Sequence, residues 1–114
     1  MKSRKEVIMA LDRKDVIKFL KASKLEKKNS AATEYQDGVD CAIDCINASL
    51  DTRIDMLEND TVFSCEECIA SLITTLENDC QYKEGNKEFD RGFEKTAKPV
   101  INSLQNYLTT IKHT

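Results

Sequence analysis

The chain has 114 residues and a formal net charge of −3, with five cysteines, one proline and one histidine. A chain of this length forms one domain that buries roughly two-thirds of its unfolded surface. No apolar run approaches the ~20 residues of a membrane span, and no segment has the length of a signal-peptide core. We therefore expect a single domain over residues 1–114, soluble and cytoplasmic, whose cysteines stay reduced.

The small net charge hides a segregation along the chain. Residues 1–28 contain ten Lys and Arg against four Asp and Glu, whereas residues 29–80 contain one against twelve. Residues 81–114 contain six against four. The basic and acidic blocks either neutralise each other within the fold or form separate binding surfaces, and the composition leaves both alternatives open.

The first twenty residues contain a nine-residue repeat with two helix-start signals. Ser3 and Asp12 each begin a copy, and each is followed three positions later by an acidic residue. In one continuous helix the apolar residues of the two copies would face opposite sides. The repeat therefore predicts a split N-terminal helix, with a short piece near residues 4–10 and a longer one near 13–27.

The stretch from Glu34 to Asn59 carries two helical stripes of opposite character. Its apolar residues recur every three or four positions, as in a helix with one buried face. These residues are Tyr35, Val39, Ala42, Ile43, Ile46, Leu50, Ile54 and Leu57. Carboxylates form a second stripe, about 130° around the helix from the first. The six members of this acidic stripe are Asp37, Asp40, Asp44, Asp51, Asp55 and Glu58.

Two more long amphipathic helices follow. Apolar periodicity predicts one over residues 62–80 and another over residues 87–112, separated by a turn that contains Gly85. Pro99 interrupts the last helix in sequence but not in phase, so a kink is expected there rather than an end. The short connections predict an all-α fold, an antiparallel helical bundle of three long helices plus the short split N-terminal helix.

The last helix repeats the apolar register of the acidic one at an offset of 54 residues. The motif Glu-[Tyr/Phe]-x-x-Gly-[Val/Phe]-[Asp/Glu] begins at Glu34 and again at Glu88. The repeat either descends from a duplication or reflects a common packing rule. Gly38 and Gly92 predict close helix approach at equivalent places, because glycine inside a helix costs up to ~1 kcal/mol relative to alanine. The acidic stripe itself is not repeated.

Cys65 and Cys68 have the spacing of a redox dithiol near a predicted helix start, where the pKa of a thiol can be lowered. Glu66 and Glu67 would oppose a thiolate, and no βαβ pattern accompanies the motif. Both cysteines also lie on the apolar stripe of their helix, which favours buried core thiols. A thiol redox protein is kept as an alternative.

No metal or catalytic centre can be assembled from the sequence. In a helical hairpin the pair Cys41 and Cys45 would lie a dozen or more residues from Cys65 and Cys68, which argues against a four-ligand zinc site. A single histidine, His113, argues against a di-iron carboxylate bundle. No phosphate-binding glycine loop and no Ser/His/acid set is present. We therefore expect no enzyme activity, no catalytic residue, no metal and no cofactor.

A weaker stripe on the acidic helix consists of Cys41, Cys45, Ala48 and Met56. It favours a wide core face, since Met and Cys often fill irregular core space. The alternative is a seam for self-association, so a homodimer is compatible with the sequence.

The basic N-terminal segment has the charge needed to contact nucleic-acid phosphates, with Arg4, Lys5, Arg13 and Lys14 near the two helix starts. The scarcity of aromatic residues for base stacking, the negative net charge and nearby aspartates argue against this function. A nucleic-acid-binding regulator is the second alternative.

The acidic stripe is either an exposed face neutralised by the N-terminal lysines or a surface that binds a basic partner protein. Carboxylates three or four residues apart rise about 5 to 6 Å, and the six span about 30 Å. This pitch resembles that of phosphates along a nucleic-acid strand, so a nucleic-acid-binding protein would accept it. Like charges at this spacing cost roughly a few tenths of a kcal/mol per pair, which favours a use for the stripe.

The repeated motif resembles a pattern met in small helical proteins of bacteriophage and mobile-element origin. It covers about seven residues at Glu34 and again at Glu88. The resemblance implies a binder that inhibits or redirects a host factor, including a defence system, in the host cytoplasm. It implies action by occupancy rather than by chemistry, and it transfers no functional residue to this chain.

Overall fold

The structure, a computed structural model, describes residues 13–27, 32–59, 64–81 and 85–112, and it describes Lys112 for its backbone alone. The helices in these ranges are α1 (Arg13–Ala22), α2 (Glu34–Glu58), α3 (Cys65–Gln81) and α4 (Lys87–Lys112). The all-α prediction is confirmed, as a bundle of three long helices and a short N-terminal one. The piece predicted near residues 4–10 lies outside the described residues. No described helix is both long and apolar enough to cross a membrane.

Each long helix begins at a polar side chain that accepts hydrogen bonds from the first free backbone N–H groups. Thr33 Oγ1 accepts from the N–H of Gln36 at 3.0 Å, and Ser64 Oγ accepts from that of Glu67 at 3.1 Å. Asn86 Oδ1 accepts from two N–H groups at the start of α4, at 3.0 and 3.2 Å. The serine cap places the start of α3 three residues after the predicted one.

Gly85 lies in the predicted turn and Pro99 does not end its helix, whereas the kink expected at Pro99 stays a prediction. Gly85 has a φ of 87°, a left-handed conformation that favours glycine, and it lies in the predicted turn before α4. α4 continues through Pro99 without a break, so the helix does not end there.

α1 ends earlier than predicted. The sequence pattern extends this helix to residue 27, but the helix stops at Ala22. Ser23 turns back instead, with its Oγ donating to the carbonyl oxygen of Phe19 at 2.9 Å. Residues 24–27 leave the helix and contact α2. Lys, Leu and Glu favour helix locally, so tertiary contacts override their propensity here.

α2 and α4 form the main packing pair of the bundle, with α1 packed against α2 and α3 packed against both. Buried residues of all four helices form one apolar cluster. The predicted apolar stripe of α2 is confirmed from Ala42 to Leu57, which are buried. Tyr35 and Val39, nearer the N-terminal end, are half-buried.

α2 and α4 approach backbone to backbone at the glycines of the repeated motif. A Cβ atom added to Gly38 would collide with the carbonyl oxygen of Phe89. A Cβ atom added to Gly92 would collide with the carbonyl oxygen of Tyr35. Each glycine therefore meets the aromatic residue that precedes the other glycine by three positions. The predicted close approach is confirmed, and the contact is reciprocal, as an approximate two-fold axis between the helices requires.

One contact in each half of the chain stands at nearly equivalent positions. Gln105 of α4 donates to Glu77 of α3 at 3.3 Å. The residues that stand 54 and 53 positions earlier, Asp51 of α2 and Lys24 just beyond α1, form an ion pair at 2.7 Å. The described residues thus form two consecutive helical hairpins, α1 with α2 and α3 with α4.

We expect alanine at Gly38 or Gly92 to destabilise the fold, because the added methyl group forces the two backbones apart. Overpacking of this kind costs about 1–3 kcal/mol or more, and the gain in helix propensity offsets at most ~1 kcal/mol of it. Urea denaturation measures the net loss. Lys95→Ala on the exposed face of α4 is the control, expected to stay within ~0.5 kcal/mol of the wild type. Unchanged stability of both glycine variants would contradict the backbone contact.

Candidate functional site

The six carboxylates of the acidic stripe lie outside the buried core of α2, and the structure divides them into two groups. Asp44, Asp51 and Glu58 are seven residues apart, and each forms an ion pair with a lysine from the N-terminal part of the chain. The pairs are Lys27–Asp44 at 2.9 Å, Lys24–Asp51 at 2.7 Å and Lys21–Glu58 at 3.3 Å. We call these three pairs the lysine ladder.

In the ladder, carboxylates seven residues apart on a helix meet lysines three residues apart in a non-helical segment. Seven residues of α-helix rise ~10.5 Å. Three residues of extended chain span about 10 Å. Lys24 and Lys27 lie in the non-helical residues 24–27, so their side chains reach Asp51 and Asp44 at matching levels. We call residues 24–27 the strap.

Between these two ion pairs, Asn47 holds the backbone of the strap. Its Oδ1 accepts from the N–H of Leu25 at 2.9 Å, and its Nδ2 donates to the carbonyl oxygen of Leu25 at 2.8 Å. The Leu25 side chain is half-buried against the core cluster. The stripe pattern does not single out Asn47. The signal that locates it is the match between lysines three residues apart and carboxylates seven residues apart.

The strap is held more firmly by the amide than by the charges. The side chains of Lys24 and Asp51 are 40% and 57% exposed, where an ion pair contributes ~0.2–1 kcal/mol and is screened by salt. The hydrogen bond that Lys27 donates to Asp44 raises the pKa of Lys27, so this lysine keeps its charge. Each hydrogen bond of Asn47 contributes ~0.5–1.5 kcal/mol. Those bonds and the burial of Leu25 therefore dominate.

Asp37, Asp40 and Asp55 lie outside the ladder. Asp37 and Asp55 are exposed, and Asp40 is half-buried. Asp40 accepts a hydrogen bond from Nε2 of Gln36 at 3.0 Å. Asp55 accepts one from Nδ2 of Asn59 at 2.9 Å. Within the part of the chain that the structure describes, no Lys or Arg forms an ion pair with these three carboxylates.

The acidic side of the molecule extends beyond the stripe. Together, α2 and α3 carry eleven Asp and Glu residues against one basic residue, Arg53. Nη2 of Arg53 donates to Ser71 at 3.3 Å and to Thr75 at 3.0 Å, so this side chain joins the two helices. The lysine ladder neutralises three of the eleven carboxylates, and the two helices stay strongly acidic.

Two cysteines have thiols that ionise less readily than usual. Cys68 is buried, and this burial raises the pKa of its thiol. Burial and the neighbouring Cys41 raise the pKa of Cys45 to about 11. A raised pKa leaves less thiolate at neutral pH, which argues against the redox alternative. Cys65 is half-buried beside the core. Among the described residues, no three His, Cys, Asp or Glu side chains converge to hold a metal ion.

The weaker stripe of Cys41, Cys45, Ala48 and Met56 does not widen the core. Ala48 is exposed, and the other three residues are half-buried. The interpretation as a wide core face is therefore wrong, because the buried face of α2 is filled by the main apolar stripe. The self-association seam and the homodimer stay predictions.

The structure describes two of the four basic residues that the sequence analysis considers for contact with nucleic acid. Arg4 and Lys5 lie outside the described residues, while Arg13 is half-buried and Lys14 is exposed at the start of α1. Three further lysines of the basic segment are engaged in the lysine ladder. A nucleic-acid-binding surface at the N-terminal segment stays a prediction.

Comparisons with known proteins identify no relative. No protein-family model matches the chain, and no curated protein or solved structure is significantly similar to it. The resemblance of the repeated motif to small helical phage proteins therefore stays a prediction.

We expect Asn47→Ala to lower the free energy of unfolding by about 1–2 kcal/mol, because both hydrogen bonds to Leu25 are lost. Asp51→Asn is expected to cost less than ~1 kcal/mol, and this cost should disappear near 1 M salt, where exposed ion pairs are screened. Urea denaturation at low and high salt measures both variants. A larger loss for Asp51→Asn than for Asn47→Ala would contradict the greater contribution of the amide.

The raised pKa of Cys45 predicts a loss of stability at alkaline pH. In the unfolded chain this thiol ionises near its ordinary value of 9.0, whereas in the folded protein it stays protonated until about pH 11. The stabilisation is therefore fully present below pH 9.0 and is lost as the pH rises to about 11. Urea denaturation over this pH interval measures the loss, and Cys45→Ala is expected to make the decline shallower. Identical slopes for the two proteins would assign the decline to other groups.

Proposed function

We propose that the protein is a non-enzymatic interaction protein that binds a basic surface of a partner protein through the acidic side of α2, and so inhibits or modulates that partner. The observation that carries this proposal is the ratio of seven carboxylates to one arginine on α2. The three carboxylates outside the ladder form part of this charge, and none of them forms an ion pair with a described Lys or Arg, although the charge of Asp40 also acts on Lys27. Complementary charge speeds the encounter of two proteins and selects a partner of opposite sign.

The helix holds these charges at fixed positions. Asp37 and Asp55 are 18 residues apart, which corresponds to ~27 Å along α2. An acidic edge of this length suits an extended basic surface, such as that of a nucleic-acid-binding protein, better than it suits a small molecule. The proposal includes no catalytic residue and no cofactor.

The biological setting of the proposal comes from the resemblance of the repeated motif to small helical proteins of phage and mobile elements. On that basis, the protein is a host-takeover or anti-defence factor that acts by occupancy in the host cytoplasm. A basic, nucleic-acid-handling protein of the host is the partner that fits this setting.

Replacing Asp37, Asp40 and Asp55 together by asparagine is expected to weaken partner binding at least ~10-fold and to reduce its salt dependence, because the unneutralised charges are removed. The lysine ladder does not involve these residues and stays in place. The partner is captured from a lysate of the native host, purified, and titrated by calorimetry at low and high salt.

A matched control removes three charges from α3, as Glu66→Gln, Glu67→Gln and Glu77→Gln. This variant changes the net charge equally and is expected to keep most of the affinity. An equal loss in both triple variants would mean that net charge alone acts, and unchanged binding by the α2 variant would overturn the proposal.

A further inference from the structure

The strap lies on α2 in the manner of a bound peptide. Asn47 contacts both backbone polar groups of Leu25, and the lysine on each side of that residue contacts a carboxylate. The Leu25 side chain packs against the core cluster. This face of α2 therefore combines a backbone-binding amide, a carboxylate on each side of it and an apolar seat for one side chain.

Each of these elements specifies a property of the occupant. The amide requires a residue whose N–H and C=O are both free, as in an extended chain but not in a helix. Asp44 and Asp51 require two positive charges ~10 Å apart, which lysines at positions i and i+3 of an extended chain provide. The phosphates of a nucleic acid supply neither a donor N–H nor a positive charge. The face thus fits a peptide segment.

We propose that this face of α2 binds an extended Lys-x-x-Lys segment of a partner protein, and that the strap is an internal occupant which such a segment displaces. The inference rests on the proposed function and names the part of the partner that is recognised. The strap itself, Lys24-Leu-Glu-Lys27, is an example of the required pattern.

The strap can be displaced because most of its contacts are at the surface. The side chains of the lysine ladder are between 40% and 65% exposed, and within the strap Leu25 alone is half-buried. The strap is also tethered, so its effective concentration at the site is on the order of millimolar, as for short flexible linkers. A competing peptide therefore binds more weakly than it would to an open face, and weakening the strap must strengthen that binding.

The test uses the full chain and a fluorescent peptide with the sequence of residues 21–27, Lys-Ala-Ser-Lys-Leu-Glu-Lys, with binding measured by fluorescence anisotropy at low salt. Lys24→Gln with Lys27→Gln removes both ion pairs of the strap, which weakens it, and is expected to raise the affinity for the peptide at least ~2-fold over the wild type. Lys95→Gln with Lys98→Gln on α4 is the matched control. It removes the same charge, leaves the strap in place, and is expected to bind the peptide as the wild type does.

A further measurement tests the amide contact, and it alters the peptide rather than the protein, because Asn47→Ala would weaken the strap and the peptide alike. A peptide whose leucine is N-methylated lacks the N–H that Asn47 accepts, and it tests the same contact without altering the protein. The proposal is overturned if the strap-weakened variant binds no better than the control, or if the N-methylated peptide binds as well as the unmodified one.

These outcomes are distinct from those of the proposed function. If the peptide does not bind while the variant of Asp37, Asp40 and Asp55 still loses its partner, the acidic side binds a folded basic surface and the inference is wrong. If the peptide binds as expected while that variant keeps its partner, the inference stands and the outer edge of the stripe is not the binding surface.

Discussion

The backbone contact between α2 and α4 determines where the other parts of the bundle lie. Gly38 and Gly92 let the helices approach at points where a side chain would collide with a carbonyl group of the opposite helix. Each glycine costs its own helix up to ~1 kcal/mol relative to alanine, so the packing of α2 against α4 must offset the cost of both glycines. Once these helices are paired, α1 and α3 occupy the two flanks, and the strap is laid along α2.

The two helical hairpins share a packing arrangement but differ in chemistry. Arg53 of α2 hydrogen-bonds to two side chains of α3. Tyr107, the residue 54 positions later in α4, stacks instead on Phe19 of α1, with ring centroids 3.9 Å apart and planes 7° from parallel. The Lys24–Asp51 ion pair likewise has an amide–carboxylate contact, Gln105 with Glu77, at nearly equivalent positions in the second hairpin. Core packing constrains the buried positions of both hairpins. At half-exposed contacts between helices, any pair of side chains that satisfies its own polar groups is tolerated.

The acidic stripe of α2 consists of two groups with different physical roles. Asp44 and Asp51 hold the strap and Glu58 pairs with Lys21 of α1, whereas the other three form no ion pair with a described Lys or Arg. A surface that binds its own lysine-rich segment has the chemistry to bind the corresponding segment of another protein. The tethered strap then adds selectivity, because a ligand must bind more tightly than the strap in order to displace it. Positive charge alone is not sufficient.

Apolar periodicity by itself determined the long helices and their buried faces, because burial of one helical face is a local and repeating property of the sequence. The motif glycines likewise predicted close helix approach at equivalent places, and the tertiary structure decided that α2 and α4 are the helices that meet there. The end of α1 could not be predicted this way, since the strap residues favour helix locally and are drawn out of it by Asn47, 22 positions beyond Leu25. All the lysines and carboxylates of the ladder were visible in the sequence. Which of them meet depends on the register of the strap against α2, and only the folded chain sets that register.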